Sequence, residues 1–295
     1  MIRIVTLLPS ATDIVISLGL KKNLVGVSHE CDGIPITVER LTSSSIKSSD
    51  LSYKIHLSIQ DILKNSLSVY EVKFNLLKFL NPNFIITQSQ CNVCAVSFDQ
   101  VRAGLNKLMI SKPKLIDLKP IRFKDVCNDI LRVGNFLGVE KKSNSLVIKI
   151  HKEINSIQRK LSNVKKKKIL CIEWLDPIMV AGNWIPDLLK FVGASALHQK
   201  EGVKSSFINL DKVLLKEIDS VIFMPCGFKI DKTKTEIRRL KLHEKFEGKK
   251  MYIVDGDKYF NRPGPSLLES VKILAEILHP NVFEQKHGST RWEKI

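Results

Sequence analysis

The sequence predicts an α/β protein built as two lobes with parallel sheets, joined by one long connector helix. Three observations predict it. Short β-branched runs alternate with helical stretches, which is the grammar of parallel sheets. That alternation occurs twice along the chain. Between the two halves lies a purely helical stretch with one narrow apolar stripe.

The first lobe is expected over residues 1–122. Ile2-Arg3-Ile4-Val5-Thr6-Leu7 reads as its opening strand, and Pro9-Ser10-Ala11-Thr12-Asp13 turns the chain into an apolar helix that Gly19 closes. Further strands are expected over 24–28, 83–87 and 114–118, with helices over 12–18, 59–63, 69–79 and 98–108. The connector region covers 123–164. There Val147, Ile150, Ile154, Ile157 and Leu161 recur at alternating steps of three and four, the signature of one buried helix face. Lys149, Lys152, Arg159 and Lys160 fall on its wetter side, and Lys165 to Lys168 follow. The second lobe, 165–281, repeats the pattern with strands over 168–173, 178–181, 220–224 and 251–254, and helices over 186–192, 210–216, 236–242 and 265–278. The polar tail, 282–295, is expected to fray.

Composition narrows the function classes. A chain of 295 residues with 44% hydrophobic residues can bury a full core, and no uninterrupted apolar run reaches the roughly 18 to 20 residues of a membrane-spanning helix. No integral membrane segment is therefore expected. The 47 basic residues exceed the 30 acidic ones by 17, but 37 of them are Lys, dispersed along the whole chain. Nucleic-acid recognition favours clustered Arg and Lys interleaved with aromatics, so the charge reads as a solvated surface and no nucleic-acid partner is expected. It would still attract an anionic ligand or membrane surface. A strand beginning at residue 2 leaves no room for a secretory leader, so a cytoplasmic protein is expected. In a reducing compartment the six cysteines read as buried apolar groups or metal ligands rather than disulfides. No Gly-x-Ser-x-Gly, Walker, Gly-x-Gly-x-x-Gly or His-Glu-x-x-His motif occurs, so an enzyme is unmotivated.

Ligands of open parallel sheets sit beyond the carboxyl ends of the strands. In the first lobe those ends carry His29-Glu30-Cys31-Asp32 and Gln88-Ser89-Gln90-Cys91-Asn92-Val93-Cys94. His29, Cys31, Cys91 and Cys94 form a donor set suited to zinc or an iron centre, with Glu30, Asp32 and Cys226 as further ligands or supporting partners. Two other readings stand beside it. His29 is a hydrogen-bonded crevice residue and the thiols are small half-buried groups; or Cys91 and Cys94, preceding the helix near Phe98, form a redox dithiol. In the second lobe Glu173, Trp174, Asp176, Trp184, Tyr259, Phe260, Asn261 and Arg262 offer broad aromatic faces with a few polar groups, which suits a large, flat, partly apolar ligand. The plainer alternatives are that Trp184 belongs to the core and Arg262 pairs with Asp255 or Asp257. Cys127 and Cys171 fall away from the strand ends and are expected to be inert.

Leu7-Leu8-Pro9-Ser10-Ala11-Thr12-Asp13, Leu18-Gly19-Leu20 through Leu24-Val25-Gly26, and Asn261-Arg262-Pro263-Gly264-Pro265 resemble the substrate-binding proteins of ABC importers for cobalamin and iron-siderophores. More narrowly, the His29 and Cys91 segments with Glu173-Trp174-Leu175-Asp176-Pro177, Pro225-Cys226-Gly227-Phe228 and Tyr259-Phe260-Asn261-Arg262-Pro263-Gly264 resemble a leaderless cobalamin-binding-protein branch. The resemblance implies a class III periplasmic-binding-protein-like fold: two Rossmann-like lobes, one hinge helix, and a ligand held in the cleft between them. It places Pro9, Ser10, Glu30 and Gln88 beside the second-lobe residues as ligand-binding candidates. It implies a monomer that binds a small metal-containing molecule, cobalamin or a related corrinoid, and an ABC importer as partner. Zinc or iron held directly by the thiol cluster is the other candidate. Cobalt in a corrin accepts imidazole or thiolate axially, so His29 or a Cys is a candidate ligand of the bound molecule's own metal. The alternative from another class is a cytoplasmic metalloenzyme or thiol oxidoreductase using the same His/Cys cluster.

Overall fold

The computed structural model describes residues 2–46, 50–65, 69–90, 96, 98–108, 112–284 and 290–295. The chain divides into two compact units. The first comprises Met1–Lys47, Leu57–Pro120 and Asp125–Val147, and the second Ser48–His56, Ile121–Lys124 and Ile148–Ile295.

In the first unit the elements follow as β1 (Ile4–Thr6), α1 (Pro9–Ser17), β2 (Leu24–Val27), β3 (Glu39–Arg40), β4 (Thr42–Ser44), α2 (Ser52–Asn65, entering from the second unit), β5 (Tyr70–Val72), α3 (Phe74–Leu80), β6 (Phe84–Gln88), α4 (Phe98–Leu108) and β7 (Lys114–Leu118). Five strands form an all-parallel sheet in the order β3-β2-β1-β6-β7. β1 is buried on both faces, as an unbroken Ile-Val-Thr run at the centre of a covered sheet should be. The order reverses at β1 and β6, so their carboxyl ends flank a topological switch point. Val5, Leu7, Leu41, Leu77, Leu80, Ile85, Val96, Val101 and Leu105 make one core cluster on this sheet. Gly26 belongs to it by what it lacks: a Cβ there would stand 2.4 Å from Leu41 Cδ1.

Two helices follow, α5 (Phe123–Phe136) and α6 (Glu140–Lys160). They replace the single helical stretch expected over 123–164. The break falls at Gly138, whose φ of 71° is the left-handed conformation that ends helices. Gly134 then lets Ser143 pack against α5, since a Cβ would stand 2.1 Å from the Ser143 Oγ. The expected stripe on α6 is buried: Val147, Ile150, Ile154, Ile157 and, just beyond the helix, Leu161.

The second unit continues with β8 (Lys167–Leu175), β9 (Ile178–Val180), α7 (Ile185–Phe191), β10 (Ala194–Ala196), β11 (Ser206–Phe207), β12 (Ser220–Phe223), α8 (Ile230–Arg239), α9 (Leu242–Lys245), β13 (Lys250–Val254), α10 (Leu267–Leu278) and β14 (Trp292–Lys294). Its sheet runs β11-β9-β8-β12-β13-β14, with β10 paired to the start of β8. β10, β8, β12 and β13 are mutually parallel, whereas β9, β11 and β14 pair antiparallel, so this sheet is mixed rather than parallel throughout. Ten of the twelve residues of α10 are buried, which fits a helix that is apolar nearly all round.

Several expectations change. Residues 70–72 form strand β5, paired with β4, not the start of a helix: a three-residue alternation is too short to reveal its period. In place of the helix expected over 210–216 stand two 3₁₀ turns, Leu210–Lys212 and Leu215–Glu217, the first capped by the Asn209 side chain, separated by extended Val213 and Leu214. Where one helix over 236–242 was expected, α8 starts earlier and ends before Lys241, whose φ is 52°. The end of the chain is not frayed at residues 292–294. There β14 closes the outer edge of β13, with Trp292 buried against Tyr252 and its indole nitrogen donating to Glu276 Oε2 at 3.3 Å.

Candidate functional site

The carboxyl ends of the strands were the expected location, and each unit's set is described separately. In the first unit, β2 leads into Ser28 and the exposed His29. Thr42, at the start of β4, organises this corner. Its Oγ1 accepts from the His29 backbone N–H at 3.0 Å, lies 2.7 Å from His29 Nδ1 and 3.0 Å from Ser28 Oγ. In the tautomer whose Nδ1–H donates to Thr42, with Thr42 donating onward to Ser28, the Nε2 lone pair is open to chemistry. Tyr70 of β5 stands beside the imidazole, ring centroids 5.4 Å apart, and donates its hydroxyl to Glu30 Oε1 at 2.7 Å. Loss of water around the ring, then the Lys73 ammonium, lower the His29 pKa from its ordinary value. The imidazole is therefore neutral at pH 7, the state a metal requires.

Cys31 faces inward from His29 and is buried, its Sγ 3.0 Å from Thr12 Oγ1, which is in turn 2.7 Å from Thr6 Oγ1. Pro9 opens α1 at the switch point and Ser10 follows, buried, with an Oγ that has no hydrogen-bond partner. Gln88 is buried at the end of β6, and Ser89 donates to Asp117 Oδ2 at 2.7 Å. Cys91 and Cys94 lie outside the described residues. Among the described residues no group of three or more His, Cys, Asp or Glu side chains is arranged to hold a metal ion.

In the second unit, Glu173 and Trp174 lie within β8 rather than in a loop, because the chain turns back at Asp176–Pro177 and β9 pairs with Trp174 and Leu175, Glu173 falling at an irregularity in the pairing. Glu173 Oε2 accepts from Ser205 Oγ at 2.7 Å, and Ser205 also receives the Gly182 N–H at 3.0 Å. Trp174 is buried against Phe228, centroids 5.2 Å apart, and its indole donates to the Asp176 carbonyl at 3.1 Å. Half-exposed Asp176 lies 3.9 Å from Arg239. Trp184 is core, its indole bonded to the Phe260 carbonyl at 2.9 Å. Tyr259 is buried between the cations of Lys258 and Arg291. Asn261 donates to the carbonyls of Met224 and Gly256, tying the last strand-end turn to the end of β12. Arg262 pairs with Asp257 at 3.1 Å. Gly256 in that turn has no room for a side chain, since a Cβ would stand 2.3 Å from the Pro225 carbonyl oxygen.

Of the thiols, Cys226 is half-buried at the carboxyl end of β12, its backbone N–H on the Glu173 carbonyl at 3.1 Å. Burial raises the Cys127 pKa to about 11 and holds that of Cys171 far above its ordinary value, so neither is a nucleophile at neutral pH. Thr42, Tyr70, Lys73 and Ser205 escaped the sequence reading, because each acts through a contact across distant segments that no local spacing announces. A shallow depression of about 580 Å³ lined by Asn81, Asn83, Lys112 and Lys114 lies at the amino ends of β6 and β7, the opposite end of the first unit's sheet from His29 and Gln88.

Residues 4–250 match the family model described as "Periplasmic binding protein". The chain belongs to the periplasmic binding protein family. Among curated members, the uncharacterized ABC transporter substrate-binding lipoprotein YvrC of Bacillus subtilis is 26% identical over 298 residues, covering 96% of this chain and 82% of that protein. Among solved structures, the periplasmic heme-binding protein HutB of Vibrio cholerae superposes with a TM-score of 0.68 at 15% identity, over 95% of this chain and 99% of that one. The periplasmic vitamin B12-binding protein BtuF of Vibrio cholerae does so with a TM-score of 0.63 at 16% identity, over 94% and 96%. The α/β architecture is thus the class III periplasmic-binding-protein fold.

Proposed function

We propose that this chain is the substrate-binding component of an ABC importer and that its ligand is a small metal-containing molecule: a cobalamin-like corrinoid, another metallo-tetrapyrrole or an iron chelate. Family membership and the substrate-binding relative support the first part. The metal-directed part rests on one observation, the His29 imidazole oriented through Nδ1 by Thr42 and kept neutral at the carboxyl end of β2. A metal-ligating histidine is usually held by a hydrogen bond at its other ring nitrogen, to a carboxylate, a backbone carbonyl or water, and the Thr42 hydroxyl occupies that position beside Nδ1 here. Fold relatives that bind vitamin B12 and heme agree with a ligand of this class. Glu173, Asp176 and Arg262 supply polar groups at the strand ends of the second unit. The metalloenzyme and thiol-oxidoreductase reading draws no support from the described thiols.

The test is titration of the purified protein with aquocobalamin, hemin and a ferric hydroxamate, followed by calorimetry and absorption spectroscopy. One of the three is expected to bind at 1:1, and replacing His29 with Ala is expected to alter the metal's spectrum as well as the affinity. Binding of none refutes the ligand class. Binding with an unaltered spectrum in the His29→Ala variant removes His29 from the metal.

A further inference from the structure

We propose that the outer face of α6 docks on a bilayer surface carrying anionic phospholipids. At about 100° per residue, Lys141, Lys149, Lys152 and Arg159 fall on the side of the helix opposite its buried stripe, and Lys142 and Lys160 on one edge of that side, the Lys160 ammonium 5.5 Å from the centroid of the Phe283 ring. All six are exposed. From the first to the last they span about 29 Å at the helical rise, and Lys165 and Lys166 extend the row beyond the helix, also exposed. The only acids of α6, Glu140 and Glu153, sit on its flanks, and Glu153 is turned to Lys272 at 3.9 Å. Near the middle of the basic face stands Ile148, 66% exposed.

A charged strip without acids is complementary to an anionic plane. Neighbouring bases here are closer than or comparable to the screening length of about 8 Å at physiological salt, so they act on such a surface together. Three features favour lipid over nucleic acid. Five of the six bases are Lys, compact point charges suited to diffuse headgroup attraction rather than to bidentate phosphate or base contacts. The helix carries no Phe, Tyr or Trp on which bases would stack. Ile148 gives the face an apolar residue to bury at the headgroup boundary, which a polyelectrolyte does not reward. This inference is independent of what the strand-end residues bind.

The experiment is vesicle co-sedimentation of the whole chain. Vesicles of equal phosphatidylcholine and phosphatidylglycerol are expected to retain it at 0.1 M NaCl and release it at 0.5 M, while pure phosphatidylcholine does not retain it. Each basic residue near an anionic membrane is worth roughly a factor of five in affinity. The variant carrying Lys141→Glu, Lys149→Glu, Lys152→Glu and Arg159→Glu is therefore expected to bind at least a hundredfold more weakly. A variant with Lys78→Glu, Lys204→Glu, Lys212→Glu and Lys245→Glu, equal in net charge, is expected to stay within about fivefold of the parent. The double variant Lys149→Gln, Lys152→Gln, which perturbs the fold least, is expected to fall between. Equal loss in the two charge-matched variants, absence of binding to anionic vesicles at 0.1 M NaCl, or tighter binding of an oligonucleotide through the same residues overturns the proposal.

Discussion

Replacing Asp129 with Asn is expected to leave the protein more resistant to pH, with a sign opposite to the usual effect of removing a carboxylate. Asp129 lies in α5 with its side chain 5% exposed; Oδ1 accepts from Arg132 Nη1 at 2.6 Å, while Oδ2 is buried without a hydrogen-bond partner. Burial pushes its pKa from 3.8 to about 6, outweighing the Arg132 guanidinium and the Lys119 N–H, with Asp125 adding repulsion. A group whose pKa rises on folding gives stability that is complete below its unfolded value and is lost as pH climbs through its folded value. The whole shift corresponds to about 3 kcal/mol at 1.36 kcal/mol per unit, of which about 2 kcal/mol falls between pH 4.5 and 7.5. Arg132 is half exposed and remains solvated when its partner is neutralised, so the lost ion pair subtracts at most about 1 kcal/mol. The assay is urea unfolding of parent and variant at both pH values, monitored by circular dichroism. The difference between the two proteins should shift by about 2 kcal/mol in the variant's favour from pH 4.5 to 7.5, with the other titrating groups cancelling. A difference that does not change with pH, or one that shifts against the variant, refutes the reasoning.

Four further outcomes are expected. Glu236 is 1% exposed and accepts from the Ser52 N–H at 2.8 Å, the Ser52 hydroxyl at 2.5 Å and Arg239 Nε at 2.9 Å. Burial works to raise its pKa, but the bonds from Arg239 and Ser52 prevail and hold it below the ordinary value, so its contribution is present above about pH 4.5 and disappears as pH falls. Glu236→Ala should cost roughly 3 kcal/mol at pH 7 in chemical denaturation, and less in acid. Thr42→Val should weaken the metal-containing ligand 10- to 100-fold, read by calorimetry, because the imidazole loses the partner that sets its tautomer. In the parent, binding should persist to pH values below 6.5 before falling, since the His29 pKa is lowered, and a midpoint above 6.5 would contradict this. Gly256→Ala should destabilise by at least 1 kcal/mol, measured as a drop in Tm, because its Cβ meets the backbone of Met224 and Pro225 rather than a movable side chain.

The parts of the fold visible in the sequence were those whose information is local. Ile4-Val5-Thr6 announced a central strand, and the apolar steps from Val147 to Leu161 marked a face that is buried. What escaped was set by partners far along the chain. β5 is a strand because Thr42–Ser44 lies beside it, and Trp292 is ordered because β13 offers an open edge. The candidate site divides the same way. The strand-end rule led to His29, but nothing near it in sequence revealed Thr42 as the group that orients its ring. Trp184 and Asn261 had the right chemistry for a ligand, yet their polar atoms hold the carbonyls of Phe260, Met224 and Gly256. The Glu236–Ser52 bond joins residues 184 positions apart, beyond the reach of any periodicity.

The pairing of β13 with β14 also imposes an order on biosynthesis. During translation the row of β13 backbone groups that Trp292–Lys294 will cover emerges some forty residues before its partner. Throughout that interval the nascent sheet presents a bare hydrogen-bonding edge flanked by Tyr252 and Ile253, the kind of template that recruits foreign strands. The pairing thus acts as a seal, and a chain whose synthesis stops before residue 292 is released with that border uncovered.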